Sequence, residues 1–157
     1  MGAEISGATC GKWGMRIGMA RIPDLWPDSF GQTEITAPSA ILKAQAAALS
    51  TKTGGVLEGR MVSHAIRQRM KHSLYVVAPP LHGYQYKLLT IEHGIEMYPV
   101  EVMAGGETFE ANDQENLVEV LRRELSSART TRVIQALLAQ SRDADSFRQD
   151  DDDDVPF

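Results

Sequence analysis

The sequence predicts an α+β fold: a helix, a four-stranded antiparallel meander and two C-terminal helices, between an irregular N-terminal arm and a disordered acidic tail. Three observations carry this. Apolar residues recur with a helical period in one segment near the middle of the chain and in two near its end. Between the first of these and the second lie four short runs rich in β-branched, aromatic and aliphatic residues, bounded by glycine and proline. The connections between those runs are too short for parallel crossovers, so neighbouring strands must be antiparallel.

Residues 1–35 hold Gly2, Gly7, Gly11, Gly14, Gly18 and Gly31 with Pro23 and Pro27, and show no sustained period, which reads as a Gly-rich arm. Trp13, Ile22, Leu25, Trp26 and Phe30 make the arm apolar enough to anchor on the body or on a second subunit. From Pro38 to about Lys52, Ile41, Leu42, Ala46 and Leu49 share a helical face, Pro38 suits a first turn, and Gly54-Gly55 ends the run. Strands are predicted at Val56 to Ser63, Ser73 to Ala78, Tyr84 to Glu92 and Met97 to Met103. Ala104 to Ala111 reads as a loop. Asn112 or Asp113 caps a helix carrying Leu117, Val120, Leu121 and Leu125, and a last helix over Ala128 to Gln140 carries Val133, Ile134, Leu137 and Leu138. The predicted organisation is an arm (1–35), one α+β domain (36–141) and a flexible tail (142–157), whose Asp143 to Gln149 linker spans on the order of 20 Å.

A chain of 157 residues, 43% of them hydrophobic, suffices for one globular domain with its own core. No apolar run approaches a membrane span and no secretory pattern is visible, so a cytoplasmic location is expected. The single cysteine, Cys10, has no internal disulfide partner and no metal-site neighbour. A four-stranded sheet with helices on one face leaves its other face to be covered, which makes a homo-oligomer plausible.

The net charge of −5 divides unevenly. Residues 143–157 hold seven aspartates and one arginine, a net of −6, so residues 1–142 sum to +1. Five of the aspartates are adjacent, Asp150 to Asp154, and such a run repels itself and cannot be buried unpaired. It is followed by Val155, Pro156 and Phe157, which a purely solubilising tail would not need, and Pro156 stiffens the step between the two apolar residues. That is the chemistry of a docking peptide.

These last residues resemble the C-terminal tip of bacterial single-stranded DNA-binding proteins, in which an acidic stretch precedes an aliphatic residue, proline and phenylalanine. The resemblance covers only residues 150–157. It implies docking to replication, recombination and repair enzymes: Phe157 would fill an apolar pocket, its carboxylate would meet an arginine, and Asp151, Asp152, Asp153 and Asp154 would steer Val155, Pro156 and Phe157 toward a basic rim. The remaining chain does not read as that family's barrel, which would show about five strands with exposed aromatics and a basic groove.

A second candidate site is basic. Between Gly59 and Ile91 stand Arg60, Arg67, Arg69, Lys71 and Lys87 with no Asp or Glu. Arg67, Arg69 and Lys71 alternate with Gln68 and Met70 in the connection between the first two strands, which places three cations on one side of an extended ribbon suited to a phosphate backbone. Tyr75, Tyr84 and Tyr86 can stack bases if they face outward, so Arg60, Arg67, Arg69, Lys71, Tyr75, Tyr86 and Lys87 form the expected nucleic-acid surface. The competing reading is a solvated polar hairpin with half-buried tyrosines. The acidic tail is also able to fold back on this basic face.

No catalytic motif is present. His64, His72, His82 and His93 occur without metal-ligand spacing, and there is no GxSxG, Walker loop or GxGxxG, so neither a cofactor nor a metal is expected. Glu92, His93 and Glu96 form the densest acid-base cluster, at a turn between two strands, and are the residues an enzyme would use. The function expected is a non-enzymatic DNA-metabolism protein, either single-stranded DNA-binding or an accessory factor, whose tip recruits proteins that recognise single-stranded DNA-binding protein tips. The alternative is a small regulator, inhibitor or immunity-type module whose acidic tail mimics DNA.

Overall fold

Pro38 opens the first helix, α1 (Pro38–Lys52), where its missing N–H costs nothing. The helix closes in a Schellman turn: Gly55 N–H reaches the Ser50 carbonyl at 2.8 Å and Gly54 N–H that of Thr51 at 3.2 Å, with φ of 81° and 62° at the two glycines. The Thr53 hydroxyl then ties the helix end to the incoming strand, donating to the Leu49 carbonyl at 2.9 Å and accepting from Leu57 N–H at 3.2 Å. The computed structural model describes residues 22–152, and the side chains of residues 22–146.

The fold is α+β. Five strands, β1 (Glu58–Ile66), β2 (Arg69–Ala78), β3 (Tyr84–His93), β4 (Val100–Ala104) and β5 (Glu107–Ala111), form one antiparallel sheet in sequence order. The expected meander of four strands is corrected to five, because the segment taken as a loop, Ala104 to Ala111, is a hairpin. Gly105 and Gly106 adopt φ of 60° and 84°, the two-residue turn that matches strand twist, and β5 follows at once. Arg67 and Gln68, at φ 49° and 67°, make the same kind of turn between β1 and β2 without glycine. The basic connection from Ser63 to His72 is thus mostly paired strand.

Two helices follow. In α2 (Gln114–Leu125) Asp113 is the cap, its Oδ1 accepting from Asn116 N–H at 2.8 Å. In α3 (Ala128–Asp152) Ser127 Oγ accepts from Thr130 N–H at 3.2 Å. The predicted last helix was to stop at Gln140. Instead α3 continues through the segment read as a linker and into the aspartate run, ending at Asp152. Residues 153–157 of the tip and residues 1–21 of the arm lie outside the described residues.

All three helices contribute to one core. Leu42, Leu57, Leu74, Val76, Leu89, Ile91, Val100, Val102, Leu117, Leu121 and Leu137 belong to a single buried cluster. Gly59 permits the closest approach: a Cβ there would fall on the backbone of Ala46 in α1. Among the described side chains the last buried one in α3 is Ser141; Arg142, Asp143, Asp145 and Ser146 are exposed. Residues 22–33 belong to a separate unit without helix or strand, in which Trp26 and Phe30 pack ring against ring at 5.8 Å and both are exposed. Among the described residues, no helix is long and apolar enough to cross a membrane.

Candidate nucleic-acid interface and docking tip

Cross-strand partners share a face, so register decides which predicted site residues meet. Leu74 pairs with Leu89, but Tyr75 pairs with Lys87, leaving Leu88 as an extra residue in β3. The carbonyl of Leu88 accepts from Arg129 Nη2 at 3.4 Å. Beyond the bulge the alternation of β3 is inverted. Tyr84 and Tyr86 turn to the face that carries the helices, and Gln85 and Lys87 turn to the other face.

On that other face the pairs line up in rows. One row is Arg60, Tyr75, Lys87, from β1, β2 and β3. Arg60 and Lys87 are exposed and Tyr75 is half-buried between them. A phenol flanked by two cations about 5 Å away on either side is suited to one stacked base and its neighbouring phosphates. The next row inward is neutral: Val62, Ser73, Thr90 and Met103, with Ser73 Oγ and Thr90 Oγ1 hydrogen-bonded at 3.0 Å. The row after it reads His64, Lys71, Glu92, Glu101, Glu110, and is acidic. Arg60 and Lys87 thus share one row, with Glu58 beside Val77 and Gln85 in the row beyond it, while Glu92, Glu101 and Glu110 share another beside Arg69, a grouping invisible in the sequence run.

The hairpin cations do not act as a free triad. Arg69 Nε donates to Glu92 Oε1 at 2.5 Å and Nη2 to Glu101 Oε2 at 3.4 Å, and the carboxylates, Glu92 first, hold its guanidinium pKa above the usual value. Lys71 sits opposite Glu92. Arg67 occupies the turn itself, exposed. Tyr86 packs against the core on the helical face and lines a cavity with Leu81, Val133 and Leu137 of the body. Of the seven residues read as a nucleic-acid surface, three therefore come together in one row and four do not join it.

Glu92, His93 and Glu96 do not converge either. Successive strand residues point to opposite faces, so Glu92 faces Arg69 while His93 is buried on the helical side, and Glu96 stands exposed in the turn before Tyr98. His93 has another partner that the sequence did not suggest. Its Nε2 lies 3.2 Å from Nε2 of His72, the ring planes are 29° apart, and Ser63 Oγ lies 2.7 Å from the Nδ1 of His72. The available signal was the pairing of β2 with β3, which no residue spacing displays. Burial, and then the neighbouring His93, push the His72 pKa below its usual value. Among the described residues, no three His, Cys, Asp or Glu side chains gather as a metal site would require.

From Ser141 to its end at Asp152, within the aspartate run, α3 advances about 17 Å at 1.5 Å per residue. Comparison with family models, with curated proteins and with solved structures returns no match.

Proposed function

We propose that the chain is a non-enzymatic accessory protein of DNA metabolism, acting in the cytoplasm, whose tip docks enzymes that recognise single-stranded DNA-binding proteins. The observation that carries this reading is the run Asp150–Asp154 followed by Val155-Pro156-Phe157, which begins within the last residues of α3. The acidic run of such a tip favours fast, salt-sensitive encounter with a basic pocket. The Arg60, Tyr75, Lys87 row supplies a second contact, to single-stranded nucleic acid, with two cations for phosphates and one ring for stacking.

A peptide ending Asp-Asp-Asp-Asp-Val-Pro-Phe, and the full chain with and without Phe157, distinguish this reading from a merely acidic tail. Capture of known tip-binding repair or replication enzymes by the intact chain, lost on deletion of Phe157, is the expected result. Equal capture by both forms would remove the docking role. The acidic row Glu92, Glu101, Glu110 favours a second reading, a protein-binding regulator that presents carboxylates in place of DNA phosphates. That reading predicts a captured target that DNA displaces and that survives loss of Phe157.

A further inference from the structure

An apolar groove lies between the three helices on the sheet's covered side. It has a volume of about 380 Å³, with Leu49 of α1, Leu121 and Leu125 of α2 and Ile134 of α3 in its walls and Leu74 of the sheet among its lining. Lys52, in the last turn of α1, and Arg122, in the last turn of α2, also line it, both exposed. No Asp or Glu lines the groove, and neither cation belongs to an ion pair among the described residues. An apolar slot edged by two cations fits a ligand with apolar side chains beside a block of negative charge. The chain carries such a segment, Asp151–Asp154 followed by Val155, Pro156 and Phe157, of which Asp151 and Asp152 end α3 and residues 153–157 lie outside the described residues.

Chain length decides which copy supplies it. The groove meets α3 at Thr130 and Ile134, near that helix's start. From Ile134 to the helix end at Asp152 the axis advances about 27 Å. The five residues from 153 to 157 span at most about 18 Å when fully extended. With α3 intact, Phe157 cannot return to the groove of its own chain.

We propose that the groove receives the Val155-Pro156-Phe157 tip of a second copy of this protein, with Asp151–Asp154 against Lys52 and Arg122. The proposal rests on the reading of the tip as a docking peptide and names one occupant for it. The contact is heterologous, tip of one copy into groove of the next, so it propagates head to tail instead of closing as an isologous pair. Surface charge pairs and a small apolar slot make each link weak and salt-sensitive. A recruited enzyme would compete with neighbouring copies for the same tip, and self-association would hold tips in reserve.

Sedimentation of the full chain at low salt, against two variants, tests this. One variant lacks Phe157, and the other is Lys52→Glu/Arg122→Glu, whose changes are on the surface and spare the core. The wild type is expected to grow in mean mass with concentration, and each variant alone to associate at least about tenfold more weakly. Mixed, the groove-intact deletion and the tip-intact double variant restore one kind of link and stop at dimers. Wild-type mass that does not rise with concentration overturns the proposal, as does association that survives loss of Phe157 or a mixture that forms no dimer. Partner-enzyme capture with the same proteins separates the two readings. Capture that needs Phe157 without any self-association leaves the docking role standing and discards the groove; capture indifferent to Phe157 discards the docking role.

Discussion

The Nε2 atoms of His72 and His93 lie 3.2 Å apart in the core, and the carbonyl of Gly94 determines which one carries hydrogen. A carbonyl only accepts, so the Nδ1 of His93, 2.7 Å from it, must be the protonated nitrogen. The Nε2 of His93 is then an acceptor, His72 Nε2–H donates to it, and the Nδ1 of His72 is left to accept from the Ser63 hydroxyl at 2.7 Å. One neutral chain of donors satisfies four side-chain and main-chain groups. There is no place in it for a hydrogen on both facing nitrogens.

Acid should therefore loosen the fold. With the His72 pKa lowered in the folded state, the unfolded chain binds more protons below its ordinary value near 6.5. Stability should hold above about pH 7, fall as the pH drops through about 6.5, and level off below the lowered folded value. Urea midpoints measured from pH 8 to pH 5 check this. The His72→Gln variant should be less stable at pH 8 and show a flatter profile, and parallel profiles for the two proteins would remove His72 as the cause.

Gly59→Ala should cost about 3 kcal/mol or more, because the added methyl meets the Ala46 backbone and α1 must move to admit it. Gly94→Ala is the control, since nothing lies within 4 Å of a Cβ there. A loss below about 1 kcal/mol at Gly59 would mean that α1 does not pack on β1 as described.

Ser141→Ala should stabilise the protein. The Ser141 hydroxyl is fully buried and makes no hydrogen bond among the described residues, and alanine is the better helix former. A gain of up to about 1 kcal/mol in chemical denaturation is expected. A loss would reveal a partner for that hydroxyl.

Replacing Arg60 and Lys87 with alanine should weaken binding to single-stranded DNA and reduce the salt slope by roughly 1.4, two phosphate contacts at about 0.7 each. Tyr75→Ala should lower affinity by about 1–3 kcal/mol with little change in slope. Arg69→Ala should leave the slope as it was, since Glu92 and Glu101 already engage that guanidinium. Titrations at several salt concentrations decide between these outcomes.

The helices were legible because Leu42, Ala46, Leu117, Leu121 and Leu137 repeat at the period their burial demands. Strand β5 was not, because it reads Glu107-Thr108-Phe109-Glu110-Ala111 and offers one large apolar residue, Phe109, which takes the guanidinium of Arg123 over its ring at 4.4 Å. The Gly105-Gly106 pair before it was the hairpin signal that sequence reasoning passed over. Arg67-Gln68 gave no such signal, since neither residue favours positive φ, so the strands were expected to stop at Ser63 and resume at Ser73 with an extended ribbon between them, where β1 and β2 in fact stay paired up to Ile66 and Arg69. The helical continuation to Asp152 was obscured by composition: a run of acids at a helix C-terminus opposes the dipole, and sequence rules discount it.

Leu88 works as a phase shift in an alternating code. In a ladder without the bulge Leu88 itself would stand opposite Tyr75, which would carry Lys87 toward the helices and Tyr86 outward, exchanging a cation for a second ring. The outward placement of Lys87 thus depends on Leu88 standing out of register: it is lost if the ladder regularises with Leu88 in place, and kept if Leu88 is removed.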